Sequence, residues 1–179
     1  MRERGWRKWE IIGLLVTIAA GNALHFVYDW SGGSAAAALF SAVNESVWEH
    51  MKLLAVPWIL WTVVQALALR GSGLPILTAR TAGLLAGMVT IPLLYYTYSG
   101  VLGRSISLVN IIIFQIAVLL AFAVSWRLHR ERPLAASLLQ IASAVVLVAV
   151  VALLVWWTFD PPLLPVFIDP STGTAGRTE

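Results

Sequence analysis

Residues 44–69 read N-E-S-V-W-E-H-M-K-L-L-A-V-P-W-I-L-W-T-V-V-Q-A-L-A-L. The part from Leu53 to Leu69 is apolar apart from two polar residues, whereas the part before it carries two carboxylates, an imidazole and an ammonium group. About 20 apolar residues in a helix cross a hydrocarbon core about 30 Å thick. The stretch therefore predicts a membrane-spanning helix whose first turns are rich in ionisable side chains.

The rest of the chain repeats the apolar pattern. Hydrophobic residues make up 59% of the sequence and charged residues only 12%, whereas soluble domains carry roughly 25% charged residues. We therefore predict an all-α integral membrane bundle of five transmembrane helices, forming a single transmembrane domain over residues 1–179. The predicted spans are residues 9–30, 44–69, 75–98, 106–126 and 134–157, and residues 158–179 form a tail.

Basic residues predict the orientation of this bundle. Lys and Arg concentrate on the cytoplasmic side of membrane proteins. With the N-terminus inside, nine basic residues fall inside: Arg2, Arg4, Arg7, Lys8, Arg70, Arg80, Arg127, Arg130 and Arg132. Only Lys52, Arg104 and Arg177 then fall outside. We expect the N-terminus in the cytoplasm and the tail outside, and we expect no nucleic-acid partner, since the basic residues flank apolar spans.

Two histidines are expected to meet at the outer side of the membrane. At about 1.5 Å per helical residue, His25 lies about 6 Å inside the end of the first span at Asp29. His50 lies in the first turns of the second span, and a short loop joins the two helices. Glu45 and Glu49 are spaced i,i+4, so their charges repel on one helix face. A metal, another cation, a shared proton or Lys52 is needed to compensate this repulsion.

Some of these residues also have structural interpretations. Asn44 is a favoured helix cap, Glu45 suits the positive end of a helix dipole, and Lys52 can extend towards the headgroups. Ionisable groups near the membrane otherwise face bundle interiors and carry function. The candidate metal ligands are His25, His50, Glu49 and Asp29. The candidate catalytic residues are Glu49, His50, Glu45, Lys52 and Asn44.

Three segments resemble an uncharacterised family of small multi-pass bacterial membrane proteins. They are H-F-V-Y-D-W-S-G-G at 25–33, L-F-S-A-V-N-E-S-V-W-E-H-M-K-L-L at 39–54 and the proline-rich F-D-P-P-L-L-P-V-F-I-D-P-S-T-G-T at 159–174. The resemblance implies a multi-pass protein of the bacterial cytoplasmic (inner) membrane. It supplies no reaction.

The leading functional hypothesis is a membrane-embedded enzyme with a His/Glu site in the outer leaflet. Two imidazoles with one or two carboxylates suit zinc or iron, and a metal-bound water would attack a lipidic or membrane-surface substrate. Asn44, Lys52 and Arg104 would then stabilise negative charge. A metal-free Glu–His acid–base site is a variant. A small transporter or sensor that binds an ion or small-molecule solute at the same cluster, and a structural membrane subunit, are the alternatives. The sequence does not indicate an oligomeric state.

Two architectural features complete the prediction. The motif G-L-L-A-G at 83–87 favours close helix packing in a membrane. The tail after residue 158 is rich in proline, which excludes helix, yet it carries apolar side chains. We therefore expect residues 159–170 to lie across the outer face of the bundle as a lid. Cysteine is absent from the sequence, which excludes disulfides, thiolate metal ligands and cysteine nucleophiles.

Overall fold

The computed structural model of the protein describes residues 3–69 and 75–177. Arg2 and Arg70, two of the basic residues used to predict the orientation, lie outside the described residues. The α-helices of the described ranges are α1 (Glu3–Trp30), α2 (Ala35–Ala38), α3 (Val47–Ala68), α4 (Ile76–Leu102), α5 (Ser107–Leu128) and α6 (Ser137–Phe159). Short 3-10 turns occur at Arg132–Ala135 and Pro165–Phe167.

Five of these helices are long and apolar enough to cross a membrane. Within the described part of the chain they are Trp6–Trp30, Val47–Ala68, Ile76–Leu102, Ser107–Leu128 and Ser137–Phe159. This confirms the predicted all-α bundle with five spans. The chain is therefore a multi-pass membrane protein.

The second span begins later than the sequence predicts, at Val47 rather than Asn44. Ser46 is the cap of α3, because its hydroxyl accepts a hydrogen bond from the backbone N–H of Glu49 at 3.3 Å. Asn44 instead accepts a bond from the N–H of Ser46 at 2.9 Å, which bends the chain before the helix starts. Glu45 therefore lies in the segment that connects α2 to α3, and it does not occupy a helical turn above Glu49.

The helix α4 packs closely on α5 through the predicted glycine pair. A Cβ atom on Gly83 would lie 2.5 Å from the carbonyl oxygen of Ala121. A Cβ on Gly87 would lie 2.7 Å from a methyl group of Leu54 and 3.0 Å from the carbonyl of Ala117. Only glycine permits this approach, so the motif serves helix packing as predicted. In the resulting bundle, α1 packs on α3 and α5, while α6 packs mainly on α4.

The two ends of the bundle hold different polar groups. We call the end at which α1 finishes and α3 begins the histidine end, and the end at which α3 finishes and α4 begins the arginine end. Arg80, one of the basic residues predicted to lie on the cytoplasmic side, is fully buried within α4. Its guanidinium lies 3.4 Å from the carboxylate of Glu10 and 3.6 Å from the centre of the Trp58 ring.

Several polar side chains from other helices complete this buried network. Gln65 and Ser125 donate hydrogen bonds to Glu10 at 3.2 and 3.5 Å, and Arg80 donates to the hydroxyl of Thr62 at 3.1 Å. An isolated charge in a membrane interior is costly, and pairing offsets that cost. The residues of this network come from α1, α3, α4 and α5, so it holds these four helices together.

The chain after α6 folds back onto the histidine end. Phe167 is buried, and its ring lies 4.9 Å from that of Trp48 and 5.3 Å from that of Trp157. A single antiparallel bridge between Ile168 and Ala175 closes a short hairpin beyond it. Leu163 stays 89% exposed, so not every apolar side chain of the tail packs on the bundle. The turn at Pro165–Phe167 directs Phe167, and not Leu163, towards the bundle.

Candidate metal centre

Three side chains at the histidine end converge on one point. His25 on α1 and His50 on α3 flank the carboxylate of Glu45. Its Oε1 lies 3.5 Å from Nε2 of His25 and its Oε2 lies 3.7 Å from Nε2 of His50. One ligand atom from each residue lies within 4.8 Å of the others. The structure thus brings the two predicted histidines together, with ring centres 5.5 Å apart.

The geometry of this cluster suits a divalent metal. With bonds of about 2.0–2.2 Å, the ligand atoms around a tetrahedral zinc ion are about 3.4 Å apart. The separations of 3.5 and 3.7 Å, each to a different oxygen of Glu45, are close to that value. With one ligand atom taken from each residue, all three atoms lie within 4.8 Å of one another, so a small adjustment of the side chains would bring them around a metal. Two imidazoles and one carboxylate form a common set for catalytic zinc and for non-haem iron, and both leave positions open for water or substrate.

The local fold of α3 fixes the tautomer of His50. Its Nδ1 lies 2.9 Å from the backbone carbonyl oxygen of Ser46. A carbonyl oxygen can only accept, so Nδ1 carries a hydrogen. Nε2 is therefore the nitrogen that faces Glu45, and in the neutral imidazole it holds the lone pair. Such a hydrogen bond at the remote ring nitrogen orients most histidine ligands in metal sites. His50 is therefore already arranged as a ligand.

The tail holds the backbone of Glu45. Asp169 is 4% exposed, and its Oδ2 accepts a hydrogen bond from the N–H of Glu45 at 3.1 Å. Its Oδ1 accepts bonds from the N–H and hydroxyl of Ser171 at 2.7 and 2.5 Å and from the N–H of Thr172 at 3.3 Å. Burial alone would raise the pKa of Asp169, but these donated hydrogen bonds outweigh it and lower the pKa. The carboxylate form is thereby stabilised.

A cavity of about 270 Å³ opens beside the cluster, between α1, α3 and α5. The residues that line it are Gly21, Asn22, His25, Phe26, Glu45, His50, Leu53, Ser107, Asn110, Ile111 and Phe114. Phe26 and Ile111 are 51% and 48% exposed, so the cavity reaches the outer surface of the helices between α1 and α5. None of the lining residues belongs to the tail, so the tail is not the predicted lid over this mouth.

Asn110 forms part of the polar wall opposite the histidines. It accepts a hydrogen bond from the hydroxyl of Tyr98, and its amide nitrogen donates to the hydroxyl of Ser105 at 3.1 Å. Tyr98 also accepts a bond from the N–H of Ile106 at 3.1 Å. This network joins the end of α4 to the start of α5 and fixes the amide beside the cavity. No sequence pattern marks Asn110 as a site residue, since a single Asn near the start of a helix is not distinctive.

Glu49, a predicted metal ligand, does not lie with the two histidines. Its Oε2 forms an ion pair with Nζ of Lys52 at 2.5 Å and accepts a hydrogen bond from the N–H of Val43 at 3.1 Å. Its Oε1 accepts a bond from the hydroxyl of Thr158 at 3.3 Å. Because α3 begins at Val47, the connecting segment carries Glu45 to the imidazoles, while Glu49 points to the opposite side of the helix.

Lys52 does not extend towards the headgroups either. It is fully buried, and besides Glu49 it donates hydrogen bonds to the carbonyl oxygens of Ala38 and Ser41, both at 3.1 Å. The ammonium group thus ties the short helix α2 to α3. With all its donors directed into this pair and these carbonyls, Lys52 is not available to stabilise charge in the cavity.

The remaining predicted site residues lie outside the cluster. Asp29 is exposed at the end of α1 and is not among the three converging residues. Asn44 donates a hydrogen bond from its amide to the carbonyl oxygen of Gly176 at 3.0 Å, so it contacts the tail. Arg104 is exposed and does not line the cavity.

Comparisons with known proteins agree with the predicted resemblance. No curated protein and no solved structure matches the chain. One family model matches residues 1–177, and it is described as a family of unknown function, DUF6512. Because this match covers nearly the whole sequence, the chain belongs to the DUF6512 family.

Proposed function

We propose that the protein is a metal-dependent enzyme of the bacterial cytoplasmic membrane, with His25, Glu45 and His50 holding zinc or iron in the outer leaflet. The observation that carries the proposal is the cluster itself. Three ligand atoms lie within 4.8 Å of one another and border a cavity of about 270 Å³. The hydrogen bond from Nδ1 of His50 to the Ser46 carbonyl supports the proposal as well, because it turns Nε2 towards Glu45 and His25.

The orientation is part of this proposal. The sequence places eight basic residues around the arginine end, namely Arg2, Arg4, Arg7, Lys8, Arg70, Arg127, Arg130 and Arg132. Arg80 and Lys52 are buried and count for neither side. Only Arg104 and Arg177 remain at the histidine end. The bias therefore puts the arginine end in the cytoplasm and the metal centre outside.

The chemistry follows from the residues around the cavity. A bound zinc or iron ion acts as a Lewis acid and can bring the pKa of a bound water to about 7. Asn110, held by Tyr98, offers its amide to the polar part of a substrate. Leu53 and Phe114 exclude bulk water, which strengthens electrostatic interactions inside the site. Hydrolysis of an ester or phosphoester fits this arrangement.

The exposed rim supports a membrane-borne substrate. Phe26 and Ile111 are apolar, and they border the cavity on helix faces that meet lipid. A lipid can enter sideways between α1 and α5, with its polar part at the histidines and its chain along the apolar wall. The cavity volume of about 270 Å³ is slightly below the usual range for drug-sized ligands. It suits a headgroup with the first part of a chain.

Metal analysis tests the proposal. Purified wild-type protein should contain stoichiometric zinc or iron, and His25→Ala, Glu45→Ala and His50→Ala should each lose most of it. Asp29→Asn is the matched control, because Asp29 is an exposed carboxylate one turn above His25, and this variant should keep the metal. His129→Ala should keep it as well, since this residue belongs to the arginine end.

A second measurement tests the reaction. Metal-loaded protein is incubated with phospholipid vesicles, and the extracted lipids are compared by mass spectrometry with those from the Glu45→Ala variant. New cleavage products with the wild type alone would support hydrolysis. If the wild type contains no metal and its lipid products are still lost when either His25 or His50 is substituted, the metal-free acid–base mechanism is favoured. Stoichiometric metal without any lipid product would contradict the enzyme proposal.

A transporter that carries an ion through the same cluster is the second candidate, and one observation favours it. Glu10 and the fully buried Thr17 place polar groups on α1 between the arginine end and His25. Uptake of zinc into protein-containing vesicles, lost in both Glu10→Gln and His25→Ala, would support transport over hydrolysis.

A further inference from the structure

The segment that carries Glu45 has polar contacts from several directions. Its Val43 N–H donates to Glu49 at 3.1 Å, its Glu45 N–H donates to Asp169 at 3.1 Å, and its Asn44 amide donates to the carbonyl of Gly176 at 3.0 Å. The side chain of Glu45 has no polar partner among the described residues other than the two imidazoles. The direction of this carboxylate therefore depends on how its backbone is held.

Residues 167–177, which we call the C-terminal clasp, have a defined shape of their own. Asp169 organises the turn by accepting bonds from Ser171 and Thr172, and its own N–H donates to the carbonyl of Thr174 at 2.8 Å. Gly176 has a φ of +65°, and a Cβ there would lie 2.8 Å from the carbonyl oxygen of Thr158. The clasp thus presents the Asp169 carboxylate in a fixed position.

The clasp is anchored to the bundle at both of its ends. Phe167 is buried against Trp48 on α3 and Trp157 on α6. At the other end, the N–H of Arg177 donates to the carbonyl of Thr158 at 2.8 Å, and its guanidinium donates to the carbonyl of Gly33 at 3.4 Å. These contacts fix the distance between Asp169 and α3, and α3 carries His50.

We infer that Asp169 is a positioning residue for the metal centre, and that the C-terminal clasp sets the place of the Glu45 ligand relative to His50. This inference rests on the proposed metal site. The physical reason is that a ligand on a connecting segment moves unless its backbone is held, and outer partners of metal ligands determine both affinity and geometry. The charge of Asp169 also strengthens its bond to the Glu45 N–H.

The experiment uses full-length protein, cobalt(II) as the metal probe and the variant Asp169→Asn. In this variant an amide replaces the charged acceptor that Glu45 requires. Asp160→Asn is the matched control, because Asp160 is an exposed aspartate in the same stretch of chain. Cobalt affinity should fall roughly 10–100-fold in Asp169→Asn, which is typical for the loss of an outer partner, and should stay unchanged in Asp160→Asn.

The spectrum of bound cobalt separates positioning from a general loss of stability. At saturating cobalt, the visible absorption of Asp169→Asn should differ from that of the wild type, because Glu45 no longer binds in the same place. Phe167→Ala, which weakens the anchor and leaves Asp169 intact, should lower thermal stability more than Asp169→Asn does. Equal affinity and an identical spectrum in Asp169→Asn would overturn the inference.

Hydrogen exchange gives a result that does not depend on a metal. The amides of residues 43–46 should exchange faster in Asp169→Asn than in the wild type, since one amide oxygen cannot accept both from Glu45 and from Ser171 and Thr172 as the two carboxylate oxygens do. If the wild type binds no cobalt, the proposed metal site fails, and exchange alone then decides the role of the clasp. Unchanged exchange at these amides would show that Asp169 does not hold the Glu45 backbone.

Discussion

The ion pair between Glu49 and Lys52 lies outside the cluster of His25, Glu45 and His50, and it holds the chain that leads to this cluster. Both side chains are almost completely buried, and their charged atoms lie 2.5 Å apart. The pair holds the N–H of Val43 and the carbonyls of Ala38 and Ser41. It therefore ties the chain that precedes Glu45 to α3, which follows Glu45.

Removing one member of this pair leaves a buried charge without compensation. We expect Lys52→Met to lower the free energy of unfolding by about 3–5 kcal/mol, the usual cost of breaking a buried pair. The double variant Glu49→Gln/Lys52→Met should be more stable than Lys52→Met, because it removes the orphaned carboxylate as well. The free energy of unfolding of the wild type, the single variant and the double variant is measured in detergent. Arg104→Met, which removes an exposed cation at the same end, is the control and should change the free energy of unfolding little. A double variant that is less stable than Lys52→Met would contradict the prediction.

At the level of the helices, the sequence predicts the spans well and the start of α3 less well. Apolar runs of about 20 residues leave little choice of structure in a membrane, so the five spans follow from composition. Both Asn44 and Ser46 are good cap residues, and the local pattern does not decide between them. The choice matters, because it places Glu45 rather than Glu49 beside the histidines. Asp169 lies far from Glu45 in the sequence, so no local pattern reveals their contact.

Close packing between α4 and α5 gives a test at this level. Gly83→Ala should lower the free energy of unfolding by about 1–3 kcal/mol, as overpacking does elsewhere, because the new Cβ would meet the Ala121 carbonyl and the Trp58 ring at 2.5 and 2.9 Å. Gly100→Ala lies in the same helix with nothing within 4 Å of its Cβ. It should be neutral or slightly stabilising, since Ala favours helix over Gly. Equal effects of the two substitutions on thermal unfolding would show that the glycine contact is not tight.

For the whole molecule, two polar clusters lie at opposite ends of the bundle and have different surroundings. The Glu10–Arg80 network joins four helices at the arginine end, and a charge-compensated network of this kind serves stability. The His25–Glu45–His50 cluster borders a cavity instead, and its one carboxylate faces both imidazoles. The side of the membrane from which the proposed site is reached therefore depends on the orientation of the protein.

The final prediction concerns that orientation. A reporter enzyme that is active only outside the cytoplasm should be active when fused after Glu179, because basic residues are retained in the cytoplasm and eight of them flank the arginine end by their sequence positions. The matched control is the same reporter fused after Arg130, between α5 and α6, where it should be inactive. Activity only in the Arg130 fusion would show that the protein has the opposite orientation in the membrane. The proposed metal centre would then face the cytoplasm, and a substrate of the proposed enzyme would have to come from the inner leaflet.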